Sequence, residues 1–177
     1  MQKYVAFLRG INVGGNKKVP MADLKKVLEK IGLQNVKTLL ASGNVVFESN
    51  SNKIEELQVS ISTAIEKAFK FPVPLLLRSF SVIQELIALD PFKKIIVTPQ
   101  TRLYVTFLTE RVKDKAASSY VSSDNSFAII SKTKSEVFSV LDLSITGTPE
   151  AMNALEKEFG KEVTTRNWNT ILKIVSL

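Results

Sequence analysis

The sequence predicts an α+β protein of two tandem ferredoxin-like plaits, each of βαββαβ type, produced by an internal duplication and packed together. Three observations carry that expectation. The first 79 residues read strand, helix, two strands, helix, strand. The segment Tyr4-Val5-Ala6-Phe7-Leu8 recurs as Tyr104-Val105-Thr106-Phe107-Leu108. Further echoes follow in the same order at offsets of about 90–100 residues. Val46-Phe47-Glu48-Ser49 is answered by Val137-Phe138-Ser139, and Ile65-Glu66-Lys67-Ala68-Phe69 by Leu155-Glu156-Lys157-Glu158-Phe159, with Val73 and Val163 trailing. The expected division is a first half over residues 1–79, a connecting helix and linker over 80–100, and a second half with a C-terminal helix over 101–177.

Each element has its own signal. Residues 3–9 alternate as a strand, and a Gly/Asn/Lys-rich loop runs from Gly10 to Lys18. A helix opens at Pro20, whose missing N–H costs nothing there, and buries Met21, Leu24, Val27, Leu28 and Ile31 before Gly32 stops it. Strands over about 35–41 and 44–49 meet at the turn signal Ser42-Gly43-Asn44. Asn52 and Glu55 form the pattern of a capping box for a helix carrying Ile54, Leu57, Ile61, Ile65 and Phe69. Residues 71–77 contain two prolines and read as an edge strand.

The connecting helix starts at Ser81, boxed by Gln84, and ends at Asp90-Pro91. Thr98-Pro99-Gln100 is a turn, and 102–109 the next strand. A short helix over about 111–119 stands for a shortened first helix of the second copy, before a hairpin of 126–131 with 135–141. Thr148-Pro149-Glu150 caps a helix bearing Met152, Leu155 and Phe159 and closed by Gly160. A short extended piece leads to a last amphipathic helix that begins at Asn167.

Composition narrows the chemistry. At 45% hydrophobic and 23% charged residues the chain is ordinary globular material. It has no cysteine, which excludes disulfides and thiolate nucleophiles, and no histidine, which excludes imidazole proton shuttles and histidine-held metals. No metal site and no cofactor is expected, and no catalytic residue can be named: Asp90 and Asp142 have no motif around them, and Asp23 fits the first turn of a helix. The N-terminus has no signal-peptide core and no stretch is long enough to span a bilayer, so a cytoplasmic location without membrane attachment is expected. The net charge of +7 is concentrated: residues 1–37 hold 8 Lys/Arg against 2 Asp/Glu, leaving +1 for the rest. Some of that excess is the solvated face of the first helix, with Lys25, Lys26 and Lys30.

Residues that serve packing should recur in both copies, whereas two polar segments do not recur. The first runs Arg9-Gly10-Ile11-Asn12-Val13-Gly14-Gly15-Asn16-Lys17-Lys18. Alternation puts Arg9 on the face of Val5 and Phe7, the glycines permit close backbone approach, and Asn12, Asn16, Lys17 and Lys18 add donors beside a helix N-terminus. It matches neither a P-loop nor G-x-G-x-x-G, and a plain loop with turn glycines and solvated lysines is the competing account. The second is Thr164-Thr165-Arg166-Asn167-Trp168-Asn169-Thr170. There Asn167 is an N-cap and Trp168 a core residue, or Arg166 and the first-turn N–H groups make an anion corner walled by Trp168. Ser42 and Asn44 belong to the turn between the paired strands.

Taken together, Tyr4–Asp23 (YVAFLRGINVGGNKKVPMAD), Ser42–Phe47 (SGNVVF) and Thr164–Thr170 (TTRNWNT) resemble the bacterial family catalogued as domain of unknown function 1697. The resemblance implies a duplicated α/β plait and marks Arg9, Asn12, Gly14, Gly15, Ser42, Asn44, Arg166, Asn167, Trp168 and Thr170 as matching family motifs. It brings no activity. This chain has Ala41 where such sequences often carry glutamine.

The expected function is binding, with or without processing, of an anionic or phosphorylated small molecule between the halves. Its site residues would be Arg9, Asn12, Gly14, Gly15, Asn16, Lys17, Ser42, Asn44, Arg166, Asn167, Trp168 and Thr170. One alternative is single-stranded nucleic-acid binding on a sheet with Tyr4, Phe7 and Phe47, although the third strand lacks an RNA-recognition signature. Another is an assembly module that pairs the strand Val73–Leu77 with a second copy.

Overall fold

A computed structural model describes residues 1–109, 112 and 119–177. Among these residues it is a mixed α/β fold with two antiparallel sheets and five helices. The chain divides into two compact units, Met1–Glu85 with Lys173–Leu177, and Leu86–Leu172. The last five residues belong to the first unit.

The first unit contains β1 (Gln2–Leu8), α1 (Met21–Lys30), β2 (Gln34–Leu39), β3 (Asn44–Ser49), α2 (Ile54–Phe69) and β4 (Leu75–Ser79), and α3 (Phe80–Leu89) begins in it. Its sheet runs β2-β3-β1-β4, so each βα crossover skips a strand while the β2–β3 hairpin pairs directly. Tyr4 lies opposite Phe47 and the rings stack at 5.7 Å. One face of the sheet, with Tyr4, Ala6, Leu8, Val45 and Phe47, joins Leu24 and Leu28 of α1 and Leu57, Ile61 and Ile65 of α2 in a single core. Alternation sends Val5, Phe7 and Val46 to the other face, where they are equally buried. β4 is an edge strand, as its prolines predict, but Pro72 and Pro74 precede the paired residues, because proline cannot donate to a ladder.

In the second unit β5 (Thr101–Phe107), β6 (Tyr120–Val121), β7 (Phe127–Lys132), β8 (Glu136–Asp142) and β9 (Thr164–Asn167) form a sheet of order β6-β7-β8-β5-β9. α4 (Thr148–Phe159) lies between β8 and β9 in the chain, and α5 (Trp168–Val175) follows β9 at once. Leaving β6 aside, β7-β8-β5-β9 repeats the order β2-β3-β1-β4. The short helix expected near 111–119 falls mostly outside the described residues. The Val-Phe echo is displaced by one position: Phe47 lies opposite Tyr4, whereas Phe138 lies opposite Val105 and so occupies the other face.

Three helix starts differ from their expected caps. α2 begins at Ile54 after Lys53, which leaves Asn52 outside the cap position. α3 begins at Phe80, directly after β4, and the Ser79 hydroxyl, not that of Ser81, accepts from the Val82 N–H at 3.4 Å. Gly147 rather than Thr148 is the N-cap of α4, with Pro149 in its first turn. Helix ends follow the sequence more closely. α2 and α4 both stop after a phenylalanine, at Lys70 (φ 66°) and Gly160 (φ 75°), whose N–H groups return to Glu66 and Glu156 at 2.8 Å.

Candidate functional site: the glycine-rich loop and the hairpin turn

β1 ends at Leu8, and the next N–H, that of the half-buried Arg9, donates to the Pro74 carbonyl at 2.8 Å. Gly10 (φ 67°) then turns the chain and Ile11 buries its side chain. A bridge between Val13 and Asn16 closes a two-residue turn at Gly14 (φ 59°) and Gly15 (φ 79°). Two successive positive φ values define the I′ geometry that glycine accepts without steric cost. The segment is therefore a small folded hairpin, with the Asn12 N–H on the Lys17 carbonyl at 3.2 Å.

Asn12 is its clamp. Its Nδ2 donates to the Val19 carbonyl at 3.0 Å and to the Ala41 carbonyl at 2.8 Å, and its Oδ1 accepts from the Val19 N–H at 2.8 Å. Both amide hydrogens are thus engaged, and the loop is tied to the turn between β2 and β3. That turn spans Leu40 (φ 60°) to Gly43 (φ 79°), and the Gly43 carbonyl accepts from the Leu8 N–H at 2.8 Å. Asn44, fully buried, donates its amide to the Leu39 carbonyl at 2.9 Å and to the Ser42 hydroxyl at 3.1 Å. The Asn12 amide is thus engaged in tying the loop to the turn, and the Asn44 amide in bracing the turn itself.

Beside the clamp lies a surface depression of about 390 Å³. Asn12, Gly15 and Lys18 contribute from the loop, Val19, Pro20 and Met21 from the entry to α1, and Ala41 from the turn. Of the site residues named from sequence it gathers Asn12 and Gly15, while Arg9, Gly14, Asn16, Lys17, Ser42 and Asn44 lie outside its lining. Lys17 and Lys18 are exposed, and among the described residues no ion pair engages either. By contrast Lys25 pairs with Glu29 at 3.7 Å and Lys26 with Asp23 at 4.0 Å. The contributions of Val19, Pro20, Met21 and Ala41 carry no motif of their own; only their adjacency to the glycine loop and to the Ser42 turn could have pointed to them. Another depression, of about 380 Å³, lies on α2 among Glu55, Glu56, Val59 and Ser60, where the carboxylates would repel an anion.

In the second unit, Asn167 ends β9 and its Oδ1 accepts from the Asn169 N–H at 2.9 Å, which makes it the N-cap of α5. Trp168 is 7% exposed and packs edge-on against Phe92 at 5.2 Å and Phe138 at 6.1 Å. It is a core residue rather than an open stacking wall, and Thr170 is buried as well. Arg166 donates to the Thr165 carbonyl at 2.8 Å. It keeps some exposed surface, but burial around the guanidinium pushes its pKa down to about 10, so it stays charged at neutral pH. No group of three or more Asp/Glu among the described residues is arranged to hold a metal ion, and none of the described helices is long and apolar enough to cross a membrane.

The two sheets and the clamped glycine loop define a two-unit α/β protein with a basic first unit. The chain belongs to the family described as "Protein of unknown function (DUF1697)", whose model matches residues 1–138. The Thr164–Thr170 segment lies beyond that match. In structure the chain is similar to a conserved bacterial protein, SP0830, from Streptococcus pneumoniae, at a TM-score of 0.76 and 27% sequence identity over 99% of this chain and 97% of that one. None of the curated proteins compared matches this chain.

Proposed function

We propose that the protein binds an anionic, phosphate-bearing small molecule at the depression beside the glycine loop. The observation that carries this reading is the junction of Lys18, the Gly15 backbone and the start of α1 on one open depression. The positive end of the α1 dipole and an ammonium without an ion pair among the described residues favour the same charge. The concentration of basic residues in 1–37 favours approach of the same kind of ligand. The Asn12 clamp supports the reading indirectly, since a pre-formed loop loses less freedom on binding. The proposal is confined to the first unit. A nucleic-acid platform has less support, because Tyr4, Phe7 and Phe47 are all buried. In the segment considered for self-pairing, the side chains of Val73, Leu75, Leu76 and Leu77 are likewise buried in the single chain.

We also infer that the sheets descend from a duplicated βαββαβ plait. The shared strand order and the matching ends of α2 and α4 support that history.

Pyrophosphate titration followed by thermal unfolding, at low ionic strength, tests the binding proposal. Saturation should raise the melting temperature by about 5 °C in the wild type and in Lys25→Glu, and should have no effect in Lys18→Glu. Equal responses in the two variants, or none in the wild type, would overturn it.

A further inference from the structure

We infer that the ligand of this depression is an amphiphilic anion, a phosphate or carboxylate carried on a compact apolar body such as an aryl or short acyl group. This rests on the reading above that the depression takes an anion, and adds what the rest of the ligand must be. Of the groups that line it, Pro20, Met21 and Ala41 are apolar and reach the surface, while Val19 is apolar with its side chain in the core. The polar members are few. Lys18 brings one ammonium, and the Asn12 amide has both hydrogens committed to the Val19 and Ala41 carbonyls.

A sugar phosphate placed here would find almost no side chain to bond its hydroxyls. A flat apolar body loses nothing polar and covers the aliphatic wall. The surroundings continue the pattern. Val13 at 69% and Leu40 at 52% exposure stand on the two turns that Asn12 ties together, and Leu40 holds a positive φ of 60°. Neither side chain lines the depression itself, and each adds exposed apolar surface on the turns beside it.

The test compares the affinities of phenyl phosphate, inorganic phosphate and ribose 5-phosphate for the full chain by calorimetry. Phenyl phosphate should bind at least about tenfold more tightly than inorganic phosphate, the gain expected from burying one ring face. Ribose 5-phosphate should gain nothing over phosphate. Ala41→Gln, which puts an amide on the apolar wall at an exposed position, should erase the phenyl advantage, so that phenyl phosphate binds this variant no more tightly than inorganic phosphate does. Lys18→Glu should abolish both. Equal affinities for all three probes, each lost in Lys18→Glu, would overturn the apolar inference and leave anion binding standing. Absence of any binding that depends on Lys18 would overturn both.

Discussion

At Gly43 two independent constraints fall on one residue. Its φ is +79°, and a Cβ there would sit 2.7 Å from Leu8 Cβ and 2.7 Å from Ile11 Cδ1. Ile11 could swing its terminal methyl aside, but Leu8 Cβ is fixed to the central strand, so backbone would have to move. Gly14 has a similar φ of +59° but open space around its missing Cβ. Gly43→Ala should therefore cost about 2–4 kcal/mol and Gly14→Ala about 1 kcal/mol, as read by chemical denaturation. Similar costs for the two would show that contact with Leu8 is not limiting. The sequence makes all these glycines look alike, because it reports the permission for positive φ and not what stands nearby. The same limit hid the Asn12 clamp: its amide reaches Ala41, 29 residues away, and only the folded turns bring the two together. At Asn167 and Trp168 the competing sequence accounts turned on burial, and the position of Trp168 against Phe92 and Phe138 favours the core account.

Among the elements, the β6–β7 turn is held by one carboxylate. Asp124 accepts from the Ser122 hydroxyl at 2.6 Å, the Ser126 hydroxyl at 2.7 Å and the Ser126 N–H at 3.0 Å. These bonds, led by that from Ser122, lower its pKa to about 2 from the ordinary 3.8. Since the folded value is the lower one, the contribution to stability is complete above the ordinary value and disappears as pH falls through about 2. Asp124→Asn should thus flatten the fall in stability over that acid window in urea titrations, and an unchanged slope would contradict the turn's role. The core elements were legible because their apolar spacing is dictated by burial, as with Leu57, Ile61 and Ile65 on α2. Helix starts were less so. At Ser79 and Gly147 the chain leaves a strand or turn whose position is set by tertiary pairing, and the nearby Ser81 and Thr148 lose the cap to it. β6, two exposed residues whose strand pairing among the described residues is with β7, has no periodic signal to read.

For the molecule as a whole, charge and architecture are distributed differently. The strand order recurs in both sheets, but the basic excess, the clamped loop and the apolar depression beside Lys18 belong to the first unit. A strand order common to both sheets and a basic glycine-rich loop in the first unit fit packing that is shared and binding that is local. The most direct measurement is a phosphate titration of the isotopically labelled chain, followed by its backbone amide resonances. Saturable shifts are expected at Gly15, Lys18, Met21 and Ala41, fitted by one dissociation constant, with the Arg166–Thr170 amides unmoved. Shifts confined to Arg166–Thr170, or weak unsaturable shifts scattered over the surface lysines, would contradict binding beside the glycine loop.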